Sequence, residues 1–314
     1  MDNKLYVSSS PHFRSNSSTT KIMLDVIIAL IPASIASIVF FGIRSLVLIS
    51  TCVATCLLCE YLSRKILKRD NTISDLSAVV TGLLLALNLP VTLNPFIAMF
   101  GCVVAIVVVK QMFGGIGMNF VNPAIAARIV LFVSFPTAMT KWADPFFYAK
   151  DAVDSVASAT PLVAENGAYS YVDLLIGNCS GSLGETCAIA LLLGGVYLVL
   201  RKVISPIIPC VYIATSALLS LILGQDPLYQ VMSGGLLLGA IFMATDYTTS
   251  PITKWGKVIF AVGCGVLTIL LRTYSNMPEG VSFSIILMNI LVPLIEKATT
   301  PKAFGKIKKA KGDK

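Results

Sequence analysis

The chain has 314 residues, 56% of them hydrophobic and 13% charged, with a mean hydropathy of +0.83. That balance excludes a soluble globular domain and predicts a polytopic helical membrane protein, since several apolar runs reach the length that crosses a bilayer core. The formal net charge of +8 requires no nucleic-acid partner, because the basic residues segregate by side of the membrane.

In chain order, residues 1–21 form a polar N-terminal segment with no cleavable signal peptide expected. Five spans follow at 22–41, 45–62, 74–90, 94–112 and 120–136, making a first membrane half of 22–136. A loop at 137–185 separates them from spans at 186–200, 203–223, 228–245, 257–272 and 281–296, which form a second half of 186–296. A basic tail, 297–314, closes the chain and reads as a solvated anchor near anionic headgroups. With the N-terminus inside, most of the 24 lysines and arginines fall on the inner side. Only Arg44, Lys141, Lys150 and Arg272 fall outside, and Arg128 lies within a span. Both termini are thus expected in the cytoplasm and the long loop outside it.

Five spans per half make the second half enter from the opposite face, as in an inverted repeat. An internal echo supports this. Thr81-Gly82-Leu83-Leu84-Leu85-Ala86 in the third span parallels Gly234-Gly235-Leu236-Leu237-Leu238-Gly239 in the eighth, and a polar, proline-containing break follows each. The loop 137–185 is net acidic, and Trp142 to Tyr148 reads as an aromatic anchor at the interface.

The eight cysteines give no disulfide framework. Cys52, Cys56 and Cys59 share a helix face, and packing is favoured over iron–sulfur ligation because no CxxC pair of the usual kind is present, Cys56 and Cys59 lying within an apolar span. Cys179 and Cys187 could pair only on an oxidising side. One histidine, His12, cannot build a metal site, so no metal is expected. No nucleophilic triad, P-loop or dinucleotide fingerprint is present, so no side chain is expected to be catalytic.

Four motifs carry the functional reading. They are Ser8-Ser9-Ser10-Pro11-His12-Phe13-Arg14 leading to Asp25; Gly114-Gly115-Ile116-Gly117-Met118-Asn119 with Asn122-Pro123; Ser158-Ala159-Thr160-Pro161-Leu162; and Phe242-Met243-Ala244-Thr245-Asp246 ending in Ser250-Pro251. In the third, small flanks leave the Thr160 hydroxyl reachable, and Pro161 favours an extended backbone at Thr160. In the second, the glycines permit close backbone approach, and Pro123 suits the first turn of a helix whose N–H groups face a ligand. That stretch is open to two readings, a ligand site or a tight re-entrant turn. Arg128 needs compensation at membrane depth, from a ligand's electron-rich edge, backbone carbonyls or a partner subunit. Asp25 is expected to complement the dipole of the first helix. Asp246 either faces a ligand or caps the next turn.

In order and spacing, these motifs resemble the NqrB/RnfD family, membrane components of Nqr- and Rnf-type redox complexes, along nearly the whole chain. The short N-terminus is more like the Rnf member. The resemblance implies FMN held as a phosphoester on Thr160, attached by a flavin transferase, with Asp154 and Ser158 as recognition positions. It also implies a second, non-covalent flavin (riboflavin or FMN) near Gly114, Gly115, Gly117, Asn119, Asn122, Arg128 and Asp246. The function implied is that of a membrane subunit of a bacterial ion-translocating ferredoxin:NAD⁺ oxidoreductase. That subunit would work only with other Rnf subunits and couple electron flow to Na⁺ or H⁺ transport across the cytoplasmic membrane. Two alternatives stand beside it: the NqrB-type subunit of a Na⁺-translocating NADH:quinone reductase, and a solute channel or secondary transporter.

Overall fold

The computed structural model describes residues 18–149, 160–162, 169–275 and 280–301. These residues are all-α. The first half holds α1 (Thr19–Phe41), α2 (Ile43–Ile66), α3 (Ser77–Leu87), α4 (Pro95–Val103) continued by a π-helical stretch (Val104–Gln111), α5 (Pro123–Ser134) and the single turn α6 (Pro136–Met139). After the short α7 (Tyr171–Ile176), the second half holds α8 (Ala188–Leu200), α9 (Ile207–Ile222), α10 (Pro227–Met232), α11 (Leu236–Leu238) continued by a π-helical stretch (Gly239–Met243), α12 (Lys254–Tyr274) and α13 (Gly280–Thr299).

Ten apolar segments appear in the expected order, but not as ten unbroken helices. By length and composition α1, α2, α12 and α13 can each cross a membrane, whereas α3, α5 and α8 are shorter apolar helices. An 11-residue helix such as α3 rises only about 16 Å against a bilayer core of about 30 Å. The expected span 74–90 is therefore split. A 3₁₀ turn (Ile73–Asp75) and a left-handed Leu76 precede α3, and the helix stops at Asn88. The span 228–245 is likewise split at Ser233–Gly235, between α10 and α11.

The two halves run in opposite directions. Ser18 caps α1 by accepting from Lys21 N, and near that end Asp25 meets Arg201, at the C-terminal end of α8. At the other end of α1, Phe40 lies against Gly177, which in turn abuts Cys187 at the start of α8. Helices at equivalent places in the halves pack together, α1 on α8 and α5 on α13, and the α2–α4 contact recurs as α9–α12. This is the pairing that inversion about an axis in the membrane plane produces. Ile31, Ile35 and Val39 on α1 and Leu193 and Val196 on α8 are exposed, as lipid-facing apolar side chains are. Below, the end of the molecule where α1 begins is the near face and the end where it finishes is the far face.

Two expectations change. Asp25 does more than face a helix dipole: it accepts from Tyr197 Oη at 3.0 Å and Arg201 Nη2 at 3.2 Å, tying the halves together. The aromatic segment does not simply lie at an interface. Trp142 is buried, Phe146 N donates to Phe40 O, and Tyr148 Oη donates to Val39 O, so the segment closes over the end of α1.

Candidate functional site

At the far face, Thr160-Pro161-Leu162 is clamped beside the break between α10 and α11. Tyr229 Oη, on α10, donates to Pro161 O at 3.0 Å. Leu162 lies so close to Gly234 that a Cβ there would stand 2.8 Å from Leu162 Cδ1. Thr160 is 7% exposed, and its Oγ1 is buried with no hydrogen-bond partner. A buried hydroxyl left unpaired is costly, by about 1–3 kcal/mol. The oxygen opens on a small recess shared with Cys179, Ser180, Glu185, Thr186 and Gly234. The hydroxyl expected to be reachable is thus enclosed instead, because the Pro161 and Leu162 contacts hold this stretch against the break between α10 and α11. Asp154 and Ser158 lie outside the described residues.

The recess wall is the end of the long loop, which turns back into the protein. Leu183 N donates to Leu89 O, and Gly184 N donates to Leu87 O at 2.7 Å, closing the open carbonyl end of α3. A Cβ at Gly184 would stand 2.6 Å from Leu87 Cβ, so only glycine passes there. Cys179 and Cys187 are free thiols with different acceptors, Thr186 O and Leu175 O. Burial pushes the Cys179 thiol up to about 12.

Arg128 occupies the middle of the protein, and its partner is a residue the sequence left unpaired with it. Nη1 lies 3.0 Å from Glu185 Oε1, with each side chain 4% exposed. The guanidinium also donates to Asn88 Oδ1 (2.8 Å), Ser282 Oγ (3.1 Å) and Ser182 Oγ (3.4 Å). Of the three compensations considered for Arg128, none includes this intramolecular carboxylate from the far-face loop.

At the near face a cavity of about 360 Å³ opens among α1, α3, the 116–124 turn, the end of α8 and the segment after α11. It brings together four of the expected residues, Gly117, Asn119, Asn122 and Asp246. Gly114, Gly115 and Arg128 do not line it. Met23, Val26, Val80, Leu84, Leu198 and Phe242 supply apolar walls. Volume and mixed lining are those of a small-molecule or cofactor site. Asp246 Oδ2 accepts from Thr248 Oγ1 and Thr249 Oγ1, and burial raises its carboxyl above the ordinary carboxylate range.

The glycine-rich turn does two jobs. Gly114, Gly115 and Gly117 all take positive φ, and a Cβ on Gly115 would stand 2.3 Å from Arg64 Nη2, so this glycine seats a guanidinium. The start of α5 differs from the expectation of free N–H groups. Asn122 Oδ1 accepts from Ala124 N and Ile125 N, and its Nδ2 donates to Met243 O at 3.2 Å. The first turn is capped internally, and Asn122 joins α5 to the end of the α11 segment.

One pair near this cavity escaped the sequence reading. Lys110, counted there only as an inner basic residue, is buried and bonded to Glu60 Oε2 at 2.9 Å. The two lie fifty positions apart, and no local pattern links them.

The model of the NQR2, RnfD, RnfE family matches residues 6–305. The chain is 47% identical to the D subunit of the Na⁺-translocating ferredoxin:NAD⁺ oxidoreductase complex of Acetobacterium woodii, over 97% of each chain. It is 41% identical to the D subunit of the proton-translocating ferredoxin:NAD⁺ oxidoreductase complex of Clostridium ljungdahlii, over 95% of this chain and 96% of that one. It is 37% identical to the D subunit of an ion-translocating oxidoreductase complex of Stutzerimonas stutzeri, over 92% and 93%.

Proposed function

The chain belongs to the NQR2, RnfD, RnfE family, and from that premise we infer that it is a membrane subunit of an ion-translocating ferredoxin:NAD⁺ oxidoreductase. It works within a multi-subunit complex and is not an enzyme alone. Its relatives carry the names of Na⁺- and proton-translocating complexes, so Na⁺ and H⁺ both remain within the reading. Those relatives are D subunits, which favours this assignment over the quinone-reductase subunit and over a solute channel.

Its own contribution, in this reading, is to hold FMN as a phosphoester on Thr160, attached by a flavin transferase. The observation that supports it is the buried, unpartnered Thr160 Oγ1. When bound, the flavin supplies the electron transfer; the chain supplies its place and its electrostatic surroundings. Tyr229 fixes the acceptor strand through Pro161 O, Glu185 lines the recess as a carboxylate held by Arg128, and Gly234 lets Leu162 pack close. A second flavin, riboflavin or FMN, would occupy the near-face cavity between Asn119, Asn122 and Asp246; the cavity's size and lining support it.

The near face carries Lys21, Arg64, Lys65, Lys68 and Arg69. By the positive-inside rule that face is cytoplasmic and the Thr160 recess extracytoplasmic, in a bacterial cytoplasmic membrane. The test is mass spectrometry of the tryptic peptide containing Thr160, together with flavin fluorescence on a denaturing gel. The reading expects one FMN less water on Thr160, and loss of the fluorescent band in Thr160→Ala. A band unchanged in that variant refutes it.

A further inference from the structure

Lys110 lines the near-face cavity, and nothing in the proposed function uses it. It sits in the π-helical continuation of α4 and is 3% exposed. Its Nζ donates to Glu60 Oε2 at 2.9 Å and to Ser77 Oγ at 2.7 Å. An ammonium carries three hydrogens, so these two acceptors leave one for a molecule in the cavity that Lys110 and Ser77 both line.

Glu60 does not spend its charge on Lys110 alone. Its other oxygen accepts from Thr72 Oγ1 at 2.9 Å and from Gln111 Nε2 at 3.2 Å. Ser77 is also the first residue of α3, and Leu76 before it offers no side-chain cap. The positive end of that helix dipole therefore adds to the Lys110 charge at one part of the lining. The other charged residue of the lining is Asp246, and most of the remaining wall is apolar. The cavity thus has an electropositive part able to meet an electron-rich edge, set among mostly apolar walls.

We propose that Lys110 binds the pyrimidine edge (N1 and C2=O) of the isoalloxazine in this cavity, orienting the ring and raising its affinity for electrons. This rests on the reading that the cavity holds the second flavin. With a flavin bound there, Lys110 would offset the negative charge that reduction adds along that edge. Glu60 acts one step back: it positions the ammonium and attenuates its charge.

The test uses the intact complex carrying Thr160→Ala, stripped of non-covalent flavin and titrated with riboflavin. Fluorescence quenching reads affinity, and spectroelectrochemistry reads the midpoint potential. Lys110→Met should weaken riboflavin binding about tenfold, the loss expected for one charge-assisted hydrogen bond, and move the potential negative. Lys110→Arg should recover part of both. Glu60→Gln should move the potential the opposite way, because the ammonium then acts unopposed. A purely structural role would not give opposite signs.

Because Lys110→Met leaves Glu60 buried and unpaired, the double variant Glu60→Gln/Lys110→Met is read alongside it and should also bind weakly with a lowered potential. If riboflavin binds the parent complex and these variants with equal affinity and potential, Lys110 has no such role and the second-flavin reading stands. If the parent complex binds no riboflavin, the second-flavin reading falls and takes this inference with it.

Discussion

Breaking the Arg128–Glu185 pair tests whether the far-face loop is a structural part of the membrane body. The pair is 3.0 Å long, with both side chains 4% exposed, and Arg128 adds bonds to Asn88, Ser282 and Ser182. Replacing Glu185 by Leu removes the buried carboxylate that Arg128 Nη1 faces at 3.0 Å, at a cost of about 3–5 kcal/mol. Arg128→Met leaves the Glu185 carboxylate buried without its cation, for a similar loss. The double variant Arg128→Met/Glu185→Leu removes both charges and should lose no more than either single change, because a well-packed apolar pair often replaces a buried ion pair at little cost. The expected coupling is therefore at least about 3 kcal/mol, far above the additivity error of about 0.5 kcal/mol for independent sites. Thermal unfolding of the detergent-solubilised protein, followed by circular dichroism, measures it. Additive single losses would refute the argument that these charges balance each other.

Three further outcomes follow from the geometry. Thr160→Ala should cost less than about 1 kcal/mol in the protein without covalent flavin, because Oγ1 has no partner to lose; a melt lowered as far as by Glu185→Leu would show that the hydroxyl is bonded. Gly115→Ala should destabilise more than Gly117→Ala, since both have positive φ but only the Gly115 Cβ meets Arg64, at 2.3 Å. The Gly117 change should cost only the backbone strain of about 1–2 kcal/mol, and equal melting losses would contradict this. With Cys179 as the sole remaining cysteine, maleimide labelling at pH 8 should run about a thousandfold slower than for an ordinary thiol, because burial holds its pKa near 12, and should accelerate as pH rises toward that value. Labelling at the rate of an exposed thiol would overturn the burial.

Apolar runs, turn chemistry and charge asymmetry made the ten segments, the long loop and the glycine-rich turn legible in the sequence. Those signals are local and additive. Helix length inside each run was not legible: hydropathy sums over residues 74–90 and does not register that Leu76 takes a left-handed conformation and Asn88 ends the helix. Partner choice was hidden for a related reason. Glu185 reads in the sequence only as part of a net-acidic outer loop, because nothing nearby in sequence reveals that Gly184 can pass within contact of Leu87 and carry Glu185 inward. Lys110 was sorted by side, and only the fold reveals that Glu60 and Ser77 converge on it. The resemblance supplied Thr160, Asn119, Asn122 and Asp246, and among these the structure gathers the last three around one cavity.

The half-length helices explain why the two candidate sites share one framework. α3 begins at the near-face cavity and stops at Leu87, while α11 begins beside Glu185 and its π-helical continuation stops at Met243. The two C-terminal ends approach within the membrane body, where Asn88 Nδ2 lies 3.7 Å from Met243 Sδ. Open carbonyls and the negative ends of two helix dipoles are costly at that depth. Three features answer the cost: Gly184 N on Leu87 O, Asn122 Nδ2 on Met243 O, and the Arg128 guanidinium on Asn88 Oδ1. Each belongs to a candidate site or binds a residue that does. Glu185, one residue after Gly184, borders the Thr160 recess; Asn122 lines the near-face cavity; Arg128 holds Glu185 from the same helix that Asn122 caps. Completing the broken helices therefore requires the far-face loop and the near-face turn to meet through α5. A substitution at Asn88, which touches both Arg128 and Met243, should disturb the candidate sites on both faces at once.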